Sequence, residues 1–223
     1  TRATDLAFEP DDQIGLYVVN YEVETSSALK TTGNHADNVP FTYTNGTWET
    51  ATPLYWKDET TKADFYCFYP YEAVTNVNAH VFELKTDQST LVAYKSSDFL
   101  WGKTSGVSPT TSSVGIIVNH LFSKAIIKVE PGDGYTTESL AEANVSVSLG
   151  SVKTTASINL ATGTAIATRS AQKVIPLKTD GIYKALVIPQ TVSAANFITV
   201  KVNDKKYNLA KDFTFVRNKP VTY

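Results

Sequence analysis

Ala63-Asp64-Phe65-Tyr66-Cys67-Phe68-Tyr69 carries one charge in seven residues and shows no polar alternation. Such a continuous apolar run marks a strand covered on both faces. The sequence on either side of it alternates apolar and polar residues at period two, interrupted by Gly, Asn, Asp and Pro. Upstream, Ile14-Gly15-Leu16-Tyr17-Val18-Val19 reads as a strand. Phe41-Thr42-Tyr43-Thr44-Asn45-Gly46-Thr47-Trp48 reads as a hairpin, because Asn-Gly tolerates the positive φ values of a tight turn.

Downstream, 80–84 and 91–94 read as short strands, and 102–113, rich in Ser, Thr, Gly and Pro, as a long loop. The longest apolar stretch, 114–129, reads as one strand with Asn119 and His120 in its middle, where the chain passes from one domain to the next. The second half repeats the pattern over 144–149, 156–160, 183–188, 197–202, 206–209, 213–216 and 221–223. Turns are expected at Ala161-Thr162-Gly163 and Asn203-Asp204, and one short helical turn around 137–143. Strands at this spacing, without long amphipathic helices, indicate an all-β chain of sandwiches rather than an α/β sheet. A length of 223 residues is enough for two cores, and the expected division is 1–119 and 120–223.

Composition narrows the functional classes. The formal net charge is −2 and the 20 Lys and Arg residues are dispersed, so no field gathers nucleic acid or an anionic membrane surface. A single cysteine, Cys67, excludes an intramolecular disulfide, and its apolar run makes it a small core residue. The three histidines, His35, His80 and His120, are far apart and not at metal-ligand spacing. The acidic pairs Asp11-Asp12 and Asp58-Glu59 read as solvated turn residues, not as a sugar-flanking acid and base. No nucleophile elbow, phosphate-cradling glycine loop or HExxH helix is present. The reading is therefore a protein that is not an enzyme and needs no cofactor or metal. Trp48, Trp56 and Trp101 are a candidate glycan-stacking platform, with core packing as the alternative.

Four ordered stretches resemble the fimbrillin-like family of Bacteroidales. Asp12-Gln13-Ile14-Gly15-Leu16-Tyr17 is similar to the family's opening strand. Leu54-Tyr55-Trp56, followed by Ala63 to Tyr71, resembles its Y-W and D-F-x-A-Y-Y-P-Y pattern, with Cys67 where Ala is usual. Asp98-Phe99-Leu100-Trp101-Gly102 and then Val118-Asn119-His120-Leu121-Phe122-Ser123-Lys124 resemble a third signature, from which Asn119 and Phe122 depart. Ala185-Leu186-Val187-Ile188-Pro189-Gln190, then Ile198-Thr199-Val200 and Tyr207, resemble its V-P-Q and hairpin.

The resemblance implies two tandem transthyretin-like (Greek-key) β-sandwich domains in a structural or tip subunit of a surface fimbria. It implies an extracellular location at the bacterial outer membrane, with membrane attachment only through a lipid anchor upstream of this chain. It places a processing point at Arg2-Ala3, where an N-terminal strand is cut away. Strand addition from other pilus subunits would fill the groove so exposed. Phe213, Phe215, Val221 and Tyr223 are the candidate donor residues, with the last strand of the second domain as the alternative reading of the same tail. A surface glycan or protein is a further expected partner, and a non-catalytic glycan-binding module is the alternative function.

Overall fold

The computed structural model describes residues 7–193 and 197–222. In chain order its strands begin with β1 (Gln13–Asn20), β2 (Ala36–Thr44), β3 (Thr47–Glu49), β4 (Ala63–Tyr69) and β5 (His80–Glu83). Helix α1 (Leu91–Lys95) precedes β6 (Leu100–Val107), β7 (Asn119–His120) and β8 (Ser123–Lys128). After helix α2 (Thr137–Glu142) come β9 (Val145–Asn159), β10 (Thr164–Val174), β11 (Leu177–Thr179), β12 (Ile182–Val187) and β13 (Gln190–Val192). The last four are β14 (Ile198–Val202), β15 (Lys205–Leu209), β16 (Phe213–Phe215) and β17 (Pro220–Thr222). The described residues are all-β in class, forming several sheets and two short helices.

It divides into two compact units. The first contains 1–81, 99–121 and 157–165; the second contains 82–98, 122–156 and 166–223. The chain thus crosses between units next to Leu121, but also within β5, β9 and β10.

The first unit is built on an antiparallel sheet of order β3-β2-β1-β4-β6-β7. Every residue of β4 is buried, as the unbroken apolar run predicts for a central strand covered on both faces. β1 lies beside it with Leu16 opposite Cys67 and Val18 opposite Phe65. One face carries Ile14, Leu16, Val18, Phe65, Cys67 and Leu100. On Phe68's side, its ring stacks on Phe99 with centroids 5.8 Å apart. Gly15 is required there, because a Cβ would come within 2.3 Å of the Phe68 ring.

In the second unit, the sheet β10-β9-β14-β15 is joined by β5 on β9, and a second sheet has order β11-β12-β8-β17. Their inner residues form one core: Ala125 and Ile127 of β8, Tyr183, Ala185 and Val187 of β12, Val147 and Leu149 of β9, and Ile198 of β14. This is sheet-on-sheet packing. The small β13–β16 pair adds Phe213 and Phe215, which surround Phe197 at 4.6 and 5.7 Å.

The expected Asn45-Gly46 hairpin joins β2 to β3 with φ of 51° and 87°, and Asn203 turns β14 into β15 at φ 51°. The helical turn near 137 is α2, closed by a capping box between Thr136 and Ser139.

Four expectations need correction. β6 runs through 102–107, which were expected to be loop, because backbone pairing with β4 compensates for its Gly, Ser and Thr content. The stretch 114–129 is not one strand: 114–118 has no ladder, β7 has two residues, and β8 starts at Ser123. Residues 91–94 form helix α1, where the Thr90 hydroxyl caps the Ala93 N–H at 3.2 Å. Asp12 is no solvated turn residue: it is 1% exposed and accepts hydrogen bonds from the Glu9 N–H at 2.7 Å and the Tyr69 hydroxyl at 3.1 Å. Asp58 does behave as an exposed turn acid, receiving the N–H groups of Thr60 and Thr61.

Candidate functional site

Among the described residues, one face of the first unit's sheet is covered by side chains and loop segments rather than by a second sheet, and these leave a groove. Its floor consists of Ile14, Leu16 and Val18 from β1 with Phe65 and Cys67 from β4. Period-two alternation on two paired strands puts these five side chains on one side. One wall is aromatic. Phe8 meets Trp48 edge-on at 4.9 Å, and Trp56 meets Phe65 edge-on at 5.7 Å. Phe41 and Leu54 complete that wall.

The opposite wall is the segment 114–118, which directs Val114, Ile116 and Val118 into the same apolar cluster. Between the walls lies a groove of about 690 Å³. Its electrostatics are bland. Among the described residues, His35 is its one basic side chain, with Nε2 2.7 Å from the Tyr55 carbonyl oxygen, and no carboxylate lines it. Burial pushes the Cys67 thiol up to about 12, so this floor residue is a neutral apolar contact at physiological pH. Among the described residues, no three His, Cys, Asp or Glu side chains gather as a metal site.

Asp64, on the same strand β4 as the floor residues Phe65 and Cys67, is a buried acid, 2% exposed. Burial pushes its carboxyl up, but Lys103, the Gly106 N–H and the Ser26 hydroxyl together hold it below the ordinary carboxylate range. Lys103 Nζ is 2.9 Å away, and each of the two hydrogen bonds is also 2.9 Å.

The three tryptophans do not form one platform. Trp48 and Trp56 line the groove, and the Trp56 indole N–H is engaged by the Thr110 carbonyl at 2.9 Å. Trp101 instead donates to the Leu160 carbonyl at 2.7 Å, with its ring where a Cβ on Gly163 would sit. Phe213 and Phe215 are 5% and 2% exposed in the second unit's core, whereas Val221 lies partly buried on edge strand β17. Arg2, Ala3 and Tyr223 lie outside the described residues.

The sequence reading missed Phe8, Phe41, Leu54 and the 114–118 wall; the alternation of Val114, Ile116 and Val118 was the available signal. It also missed two glutamines whose amides substitute for a strand partner. Gln88, fully buried, accepts the Leu186 N–H at 2.8 Å and donates to the Leu186 carbonyl at 3.1 Å. Gln190, the last residue of the V-P-Q motif, does the same to Lys153 at 3.0 and 2.9 Å.

A family model described as Fimbrillin-like matches residues 1–223. The chain belongs to the fimbrillin-like family. A Bacteroides uniformis protein named as a candidate fimbrium subunit, Fim1C, is 28% identical over 207 residues. That match takes in 91% of this chain but 65% of the relative, so the chain spans less than two-thirds of the relative's length. A crystal structure of a candidate cell-adhesion protein from Bacteroides uniformis superposes with a TM-score of 0.73 at 20% identity, covering 97% of this chain and 88% of that one. A candidate cell-adhesion protein from Bacteroides ovatus gives the same TM-score and identity over 100% of this chain and 85% of that one. At that identity these two share the fold. The family description and the name of the curated relative are both fimbrial.

Proposed function

We propose that this fimbrillin-like chain is a non-catalytic structural or tip subunit of a surface fimbria that joins its neighbour by taking an extended strand into the first unit's groove. The observation that carries the reading is the groove itself. Five core-type side chains of two central strands face about 690 Å³ of open space between two apolar walls. A sheet face of that composition is normally covered by a second layer, and an added strand supplies one from outside the chain. Three apolar side chains seated there would contribute about 5–9 kcal/mol before ordering costs.

In this reading the two units are tandem transthyretin-like domains. The subunit is secreted as a lipoprotein precursor, reaches the outer membrane, and becomes competent after cleavage following Arg2. The donor is the edge of the second unit from β17 onward, including Val221, because Phe213 and Phe215 are committed to their own core.

The test compares a precursor that retains the strand N-terminal to the Arg2-Ala3 cut with a chain beginning at Ala3, by sedimentation and electron microscopy. Polymers from the shorter chain, and none from the longer, are expected. A folded shorter chain that stays monomeric at high concentration, with or without other fimbrial subunits, overturns the reading.

A further inference from the structure

We propose that the segment 114–118 is the backbone rail to which the incoming strand is hydrogen-bonded. The inference rests on the reading that the groove takes an extended strand, and it names the edge on which that strand pairs.

The segment Val114-Gly115-Ile116-Ile117-Val118 contains no turn or bend, and its side chains alternate in exposure along its whole length. Val114, Ile116 and Val118 pack on the groove's apolar cluster, while Ile117 is 81% exposed. That is the side-chain pattern of a strand with one buried face. Yet the β6–β7 ladder ends at Trp101 opposite Asn119, and 114–118 belongs to no sheet.

The direction of its polar groups follows from two contacts. The Gly115 carbonyl accepts the Thr104 hydroxyl at 2.9 Å. The Ile117 carbonyl oxygen lies where a Cβ on Gly102 would be 2.3 Å away. Both odd-numbered residues thus turn their carbonyls towards β6. In an extended chain the N–H and C=O of successive residues point to opposite sides. Those of Val114 and Ile116 therefore point away from β6, and neither has a backbone hydrogen bond to another described residue.

An extended segment with a half-buried apolar face and a row of amides that pair with no backbone group among the described residues is a strand lacking its partner there. The partner that fits is an extended segment of another fimbrillin-like subunit. It supplies main-chain donors and acceptors to Val114 and Ile116, and uncharged apolar side chains at alternate positions to a floor that carries no carboxylate.

Three variants of the polymerising chain test this by the rate of polymer formation. Ile116→Pro deletes the amide on the open side, Ile117→Pro deletes the one facing β6, and Ile116→Ala keeps the amide while trimming the side chain. Ile116→Pro is expected to slow assembly at least tenfold with an unchanged melting temperature. Ile117→Pro should assemble at the wild-type rate and Ile116→Ala at an intermediate one.

Hydrogen exchange of the unmutated chain is the second measurement, independent of how the variants fold. The Val114 and Ile116 amides should exchange fast in the monomer and slowly in the polymer, with Ile117 unchanged. Wild-type assembly of Ile116→Pro, or slowing on the exposed β15 edge instead, overturns the rail and leaves strand addition standing. Absence of any assembly by the unmutated chain beginning at Ala3 defeats the strand-addition reading itself.

Discussion

Asp64 is the one charge in the apolar run 63–69, and the fold spends three hydrogen-bonding partners on it. Removing one member of a buried pair leaves the rest uncompensated, so Asp64→Ala should cost about 3 kcal/mol in a urea titration at pH 7. The pH dependence follows from its lowered pKa. The unfolded chain titrates near the ordinary value of about 3.9. The stabilisation is therefore complete above that pH and is lost as pH falls through the lower, folded value. The gap between wild type and Asp64→Asn should be wide at pH 7 and narrow progressively as pH falls below the ordinary carboxylate range. A gap that does not change with pH would show that the carboxylate's charge is irrelevant. Cys67, on the groove floor opposite Leu16, was legible from sequence as a small core residue. Its raised pKa predicts no alkylation of the native protein at pH 8 and rapid alkylation in denaturant.

Gln88 and Gln190 were not legible, because a polar residue between strands looks like loop until its partner is known. β11 covers β12 only as far as Lys184; beyond it, Gln88 supplies to Leu186 both bonds that a neighbouring strand would have made. Gln88→Ala strands a buried N–H and C=O, and should cost about 2–3 kcal/mol by denaturant midpoint. The same principle explains which elements the pattern hid. β10 has one buried residue, Val174, in eleven, so it carries no apolar alternation to read and owes its strand form to pairing with β9. Helix α1 has the opposite problem: Leu91 and Val92 are apolar but 56% and 75% exposed, so their β-like composition carries no burial, and the Thr90 cap sets the local structure. The stretch 114–129 looked continuous because its apolar residues are; the break appears only where Gly102 lets the Ile117 backbone approach the sheet. Gly102→Ala should therefore destabilise the protein by about 1–3 kcal/mol and speed exchange at 114–118.

The all-β class and the family motifs were readable along the chain because period-two patterning recurs in both halves. The groove was not, because its walls come from Phe8, 41–56 and 112–118, which only the folded sheet brings together. The same distinction bears on which part of the C-terminus can leave its own subunit. Phe215 is 2% exposed and packs on Phe197 at 5.7 Å, so Phe215→Ala should cost about 3–5 kcal/mol. β17 is held by three parallel pairs on β8 and one half-buried side chain, Val221. Ending the chain at Lys219 should cost only about 1–2 kcal/mol by denaturant midpoint. A donor that had to extract β16 would expose two core phenylalanines and forfeit most of what the groove returns, whereas one that releases only β17 keeps nearly all of it. The truncated chain is thus expected to remain folded, to fail as a donor, and still to accept a strand from an intact subunit, stopping polymers at one end. Truncated chains that elongate among themselves would move the donor elsewhere in the molecule, and a collapse in stability on truncation would return β17 to the second unit as a strand it cannot release.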